Sequence, residues 1–231
     1  MKKLLLLALL AISMLPVYSQ TSVGVIAGYN AGSRHPQYQS PVGISDYSPL
    51  STWRAGLVAD HHLWKKFYLQ PQLLLNNKGE KEHYTDLRPV DYTNKTSTRL
   101  LSLELQANFI FKQEWGKGKF FVGAGPYLGR GISGKCKYKG YNGVTGERFY
   151  FDGSYPVKYK RKVETPDPTV LYQKPYDAGI NFQAGYELKN GLFFNAVYSR
   201  GLNYQGYNTD GNRSKSTYWG VSVGYLLKKF S

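Results

Sequence analysis

The chain has one cysteine, Cys136, and four histidines in 231 residues. A lone thiol excludes an internal disulfide. Its position also excludes a bacterial lipid anchor, which needs a cysteine directly after the leader. Acidic residues are scarce too, 15 against 30 Lys and Arg, for a formal net charge of +15. Past residue 20 no apolar run reaches the 18 or so residues that a membrane-spanning helix requires, and no helical periodicity competes with that of strands, apart from an ambiguous apolar patch at Leu73 to Leu75.

What is present begins with MKKLLLLALLAISMLPVYSQ: two lysines, an apolar run, and Val17 and Ser19 as the small residues before a cleavage site. This pattern reads as a secretory signal peptide over residues 1–19, with one domain over 20–231. Loss of Lys2 and Lys3 leaves the mature chain at +13. A basic exported chain meets anionic lipid or an acidic polymer; its compartment excludes nucleic acid. Tyr 21, Phe 11 and Trp 4 beside Gly 25 favour strands and turns over helices.

A period of two recurs in eight segments, 22–30, 52–60, 67–77, 99–112, 119–131, 176–189, 192–203 and 217–228. In the fourth, Leu101, Leu103, Leu105, Ala107, Phe109 and Phe111 share one face and Ser102, Glu104, Gln106 and Asn108 the other. A soluble ligand-binding barrel turns such an apolar face inward, whereas a membrane barrel turns it toward lipid. The stretch FFVGAGPYLGRGISG decides between them, because glycine occupies most alternate positions on its polar side. A solvent-washed surface has no use for that; the interior of a narrow barrel does, since about eight strands leave room only for side chains to fill the lumen. A polar plug of Arg54, Gln70, Gln72, Glu104, Gln106 and Tyr127 is therefore expected, with Arg54 the nearest partner for Glu104.

Connections alternate short (61–66, 113–118, 190–191) and long (31–51, 78–98, 134–175, 204–216), as in outer-membrane barrels with short periplasmic turns and long extracellular loops. With a periplasmic N-terminus, Trp53 and Trp219 fall in an outer aromatic girdle and Trp64 and Trp115 in an inner one. The expected fold is all-β: an eight-stranded antiparallel up-and-down transmembrane barrel.

The runs FYLQPQLLLNNKG, LLSLELQANFIF, FFVGAGPYLGRG, DAGINFQAGYEL, GLFFNAVYSRGL and WGVSVGYLL together resemble the outer-membrane β-barrel domain common in Bacteroidetes, the PorT-like group. The resemblance spans nearly all of the mature chain and implies an eight-stranded barrel in the outer membrane. Some relatives serve gliding and secretion machinery, which implies a possible envelope or secretion-machinery protein partner. Lys228, Lys229 and Ser231 around Phe230 depart from a plain terminal aromatic.

No catalytic constellation is legible. His61 and His62 are adjacent, so an extended chain points them apart, and His35 and His83 lack a convergent nucleophile, base and orienting acid. No catalytic residue, cofactor or metal ligand is expected. The reading is a binding, scaffolding or envelope-assembly protein of the outer membrane; a lipid A-modifying enzyme or a small channel is the alternative. Two contact regions are expected. Arg99, Arg130 and Arg200 share the parity of the lipid-facing residues near the outer strand ends, where a guanidinium fork suits lipopolysaccharide phosphates. The long 134–175 segment holds nine basic residues against four acidic, with Lys158, Lys160, Arg161 and Lys162 as the external binding candidate.

Overall fold

Three tight reversals organise the chain, at 65–66, 116–117 and 189–191, and each contains a residue with positive φ: Lys65 at 50°, Gly116 at 61° and Gly191 at 92°. Glycine adopts this region without steric cost, which suits two of the three. A computed structural model describes residues 21–36, 43–86, 91–144, 147–206 and 214–227. The expected signal peptide and the departure around Phe230 lie outside the described residues.

The fold is all-β, with ten strands among the described residues: β1 Thr21–Pro36, β2 Gly43–Trp64, β3 Phe67–Asp86, β4 Tyr92–Trp115, β5 Gly118–Val144, β6 Glu147–Tyr159, β7 Leu171–Gln173, β8 Tyr176–Leu188, β9 Leu192–Gly201 and β10 Ser214–Leu226. Pairing runs β4-β3-β2-β1-β10-β9-β8-β5, and β5 pairs in turn with β4, so eight strands form a closed cycle of antiparallel ladders. β6 pairs with the upper part of β5, and β7 with the end of β6 in parallel, outside the cycle.

Alternation sorts the side chains. Leu73, Leu105, Phe109, Leu128, Phe182, Phe194 and Val221 are exposed on the outer face, while Gln72, Glu104, Asn108, Tyr127, Asn181 and Asn195 are buried inside. Glycine makes room for aromatic rings there. A Cβ on Gly179 would meet the Tyr127 ring at 2.4 Å, and one on Gly224 the Phe193 ring at 2.2 Å. The inner face is not wholly polar: Ile26, Val58, Leu74, Ile110, Phe121, Phe193 and Leu226 pack together, with Tyr68 against them.

Two expectations need correction. Eight strands were expected, and among the described residues ten are present, eight in the cycle and β6 and β7 outside it; and 31–51, 78–98 and 134–175, expected as loops, are largely strand. β3 and β4 remain paired as far as Thr85↔Thr93, and β4 and β5 as far as Tyr92↔Asn142. Away from the closed cycle the inner face is only partly enclosed and carries polar as well as aromatic residues, so the apolar-polar contrast that marks a half-buried strand fades there. Threonine and tyrosine, as in YTNKTST and KCKYKGY, hold the extended backbone instead.

Candidate functional site

Two regions carry chemistry: the interior of the cycle and the sheet raised beyond it. Near the short turns, Lys112 of β4 lies 2.7 Å from Asp60 and 2.5 Å from Glu187, with its ammonium 4.5 Å from the Tyr68 ring centroid. An amide chain leads away from this cluster. Gln70 donates to Asp60 at 3.4 Å, Gln72 and Gln183 each donate to Gln70 Oε1 at 3.0 Å, and Asn195 donates to Gln183 at 2.8 Å.

A second charged cluster sits toward the other end. Lys78 lies 3.2 Å from Glu104 and 2.9 Å from Asp177, with the rings of Tyr127 and Tyr218 at 4.6 and 5.1 Å from its Nζ. Asn76 donates to Glu104 and accepts from Asn30 at 2.7 Å, and Tyr127 donates to Asp177 at 3.3 Å. Both lysines are almost fully enclosed, and each is held between two carboxylates, the arrangement under which a buried charge is tolerated. The cavity beside Lys78 and Asp177, lined also by Ser102, Tyr159, Gln205 and Ser216, measures about 30 Å³. That is water-sized, too small for an organic ligand.

Arg54, Gln70, Gln72, Glu104, Gln106 and Tyr127 are all buried in this interior. The expected Arg54–Glu104 pair does not form. Arg54 instead donates Nε to Ser222 Oγ at 2.8 Å, and Glu104 takes Asn76 and Lys78. The register explains the choice: Glu104 faces Leu74 on the adjacent β3, so Asn76 is its diagonal neighbour and Lys78, two residues further on the same face, reaches back with its long side chain, while Arg54 stands on β2, one strand further away. Lys78 and Lys112 went unrecognised in the sequence, although both lie on the buried parity of their strands and extending that parity finds them.

Trp64 and Trp115 are exposed beside the short turns, and Trp53 and Trp219 are exposed nearer the opposite end, Trp53 opposite Tyr29 and Trp219 packed on Tyr198 at 4.6 Å. Arg99, Arg130 and Arg200 are all exposed on the outer face of β4, β5 and β9.

The raised sheet consists of the far parts of β2, β3, β4 and β5 with β6. β5 continues 14 residues past Arg130, where β8 begins opposite it, and this is about 45 Å along the strand. Its inner face is aromatic, with centroid spacings of 6.0 Å for Tyr84–Tyr92, 6.0 Å for Tyr92–Phe151, 6.4 Å for Phe151–Tyr138 and 4.7 Å for Tyr138–Tyr155. Ser45 and Tyr47 donate to Glu82 at 2.9 and 2.8 Å. Burial, and then Glu82 beside it, push the Tyr47 hydroxyl well above its ordinary pKa. The outer face is basic, with Lys81, Lys95, Lys135, Lys137 and Lys139 exposed alongside Arg99.

The expected cluster at the end of β6 is divided among local partners. Lys160 lies over Tyr172 at 5.4 Å, Arg161 over Tyr176 at 5.6 Å, and Lys162 pairs with Glu164 at 3.2 Å, while Lys158 is exposed on β6. His61 meets Thr21 at 2.8 Å and His62 meets the Lys65 carbonyl at 2.9 Å. Among the described residues no three His, Cys, Asp or Glu side chains gather as a metal site.

Cys136 is buried in the raised sheet, its sulfur 3.6 Å from the Thr98 hydroxyl, and burial raises its thiol pKa. A raised pKa leaves less thiolate at a given pH, and thiolate is the reactive form. At pH 8 a thiol reagent should therefore label folded protein at least about tenfold more slowly than protein unfolded by heat in SDS. Equal rates, followed by mass spectrometry, would show that the thiol is open.

The family model for the outer membrane protein beta-barrel domain matches residues 18–204, leaving β10 beyond the matched stretch. No curated protein matches the chain. Among solved structures, the attachment invasion locus protein Ail of Yersinia pestis aligns over 91% of this chain and 100% of its own, at 11% identity and a TM-score of 0.36. OprG from Pseudomonas aeruginosa aligns over 91% and 97%, at 10% identity and 0.38. Neisserial surface protein A aligns over 90% and 99%, at 10% identity and 0.34.

Proposed function

We propose, from the premise that this chain belongs to the outer membrane protein beta-barrel domain family and resides in the outer membrane, that it is a non-catalytic binding or scaffolding protein of the envelope. The closed cycle is read as an eight-stranded transmembrane barrel of the PorT-like Bacteroidetes kind, reached by export through a cleaved signal peptide. Its short turns face the periplasm and the raised sheet stands outside the cell. The observation that carries this reading is the filled interior. Two lysine clusters, an amide chain and a packed apolar group occupy the described interior, which favours work at the surface over passage or reaction within the ring.

Work then falls to the surface outside the membrane. Arg99, Arg130 and Arg200 supply guanidinium groups at the rim for lipopolysaccharide phosphates, because charge is tolerated near the interface and costs about 2 to 4 kcal/mol at the midplane. A protein of the envelope or secretion machinery docks on the raised sheet. In planar bilayers the purified protein should give no steady conductance above background, and lipid A from a deletion strain should keep its mass. Stable channels of porin size would overturn the plugged reading, and altered lipid A masses would overturn the non-catalytic one.

A further inference from the structure

The outer face of the raised sheet carries charges that the sheet itself does not satisfy. Lys95 of β4 lies directly opposite Lys139 of β5, and Arg99 directly opposite Lys135. Lys137 stands between these pairs, opposite Ser97, and Lys81 of β3 flanks Ser97 from the other side. Like charges directly opposite in a sheet are destabilising. Among the described residues three acids share the face: Asp152 opposite Lys139, Asp46 opposite His83 at the far edge, and Asp91 at the tip, where it pairs with Arg148. Among the described residues none of the six cations enters an ion pair.

A single irregularity aims these lysines outward. Ser102 is paired with Gly131 but Leu101 with Ser133, so β5 spends one extra residue, Ile132, against β4. Odd-numbered residues of β5 are interior before that point, as Tyr127 and Gly129 are, and exterior after it, as Lys135, Lys137 and Lys139 are. Without the extra residue the three lysines would point to the aromatic inner face and Cys136 would point out. Bulges re-aim side chains in this way.

We infer that this face binds the phosphorylated sugars of lipopolysaccharide in the leaflet around the ring. The inference rests on the reading that the ring spans the outer membrane with the raised sheet outside. The face continues upward from the wall formed by Leu103, Leu105 and Leu128, so what stands beside it is the polar part of the same leaflet. Lys95 lies four residues beyond Arg99, about 13 Å along the strand, which linked sugars cover and a single lipid phosphate does not. A polyanion there relieves the repulsion in the two like-charged pairs, and the attraction is screened by salt over about 8 Å at physiological ionic strength.

The test compares three proteins in detergent: the unaltered chain, Lys95→Gln/Lys135→Gln/Lys137→Gln/Lys139→Gln, and Arg99→Ala/Arg130→Ala/Arg200→Ala. Each is titrated with lipopolysaccharide bearing a phosphorylated core and with lipid A alone, after a heat-induced shift in gel mobility has shown the barrel to be folded. The unaltered protein should bind the core-bearing form at least about tenfold more tightly than lipid A. The lysine variant should lose that preference and keep lipid A binding, and the preference of the unaltered protein should fade in high salt. Equal affinity of the unaltered protein for both ligands, or a lysine variant that keeps the preference, overturns the inference. So does stronger binding of soluble polyphosphate that core-bearing lipopolysaccharide fails to displace. Lys137→Cys in a Cys136→Ser background reports orientation on intact cells. Labelling by an impermeant maleimide supports the placement outside, and its failure on cells with labelling after lysis overturns the orientation itself. Labelling combined with no core preference overturns only the present inference.

Discussion

Lys78→Met is expected to destabilise the folded protein by about 3 to 5 kcal/mol, the range for removing one partner of a buried ion pair. The Lys78 ammonium is the cation within reach of two enclosed carboxylates, Glu104 at 3.2 Å and Asp177 at 2.9 Å, and Glu104 is 0% exposed. Its loss leaves two buried negative charges with the Asn76 amide and the Tyr127 hydroxyl as their remaining donors. The triple variant Lys78→Met/Glu104→Gln/Asp177→Asn should recover most of the loss, since replacing a whole buried charge set is often neutral. Urea titration in lipid vesicles, followed by the folded gel band, measures both. A single variant within about 1 kcal/mol of the unaltered protein would mean that the cluster is wet and screened in the membrane.

Leu105→Arg is expected to cost about 2 to 4 kcal/mol in a bilayer, the range for a basic residue on the lipid face at midplane. Leu105 lies mid-strand between Leu73 of β3 and Leu128 of β5, and all three are exposed on the outer face. If this wall faced water, the same change would remove an exposed leucine and be close to neutral. The experiment therefore separates a lipid-facing wall from a wet one. Comparing Leu105→Arg with Leu105→Gln by the same urea titration isolates the charge, and a difference below about 0.5 kcal/mol would argue against lipid at that depth.

Sequence pattern located the parts of the strands where one face is enclosed, because only there does the side chain at every second position change character. It therefore found 99–112 but not the continuation of β4 to Tyr92, whose Thr96, Thr98 and Ser97 read alike on both faces. It also found the buried residues Gln72, Glu104 and Tyr127, since parity assigns a face. Pairing was beyond it. Which cation meets Glu104 depends on the register between β3 and β4, and no local pattern reveals register. The lysines of the raised sheet were counted within a basic loop and given no face; even a strand reading would have misplaced them, since the extra residue at Ile132 exchanges the two faces of β5 and parity counted from the GPYLG run puts Lys135, Lys137 and Lys139 on the inner side. The interior apolar group was missed because Ile26, Val58 and Leu74 lie singly within otherwise polar or glycine-rich faces.

The ladder between β1 and β10, which runs from Gly24↔Leu226 to Pro36↔Ser214, has a consequence for how the molecule is made. It joins the first and last of the described strands, which are far apart in sequence, so one flank of β1 has no partner until β10 reaches it. The other ladders of the cycle lie nearer in sequence and close smaller loops. The seam is thus the slowest contact to find on topological grounds and the last point at which a bare strand edge can recruit a foreign one. Until β10 is in place β1 keeps an edge that another strand can pair, so the ring protects its own edges only once this seam has closed.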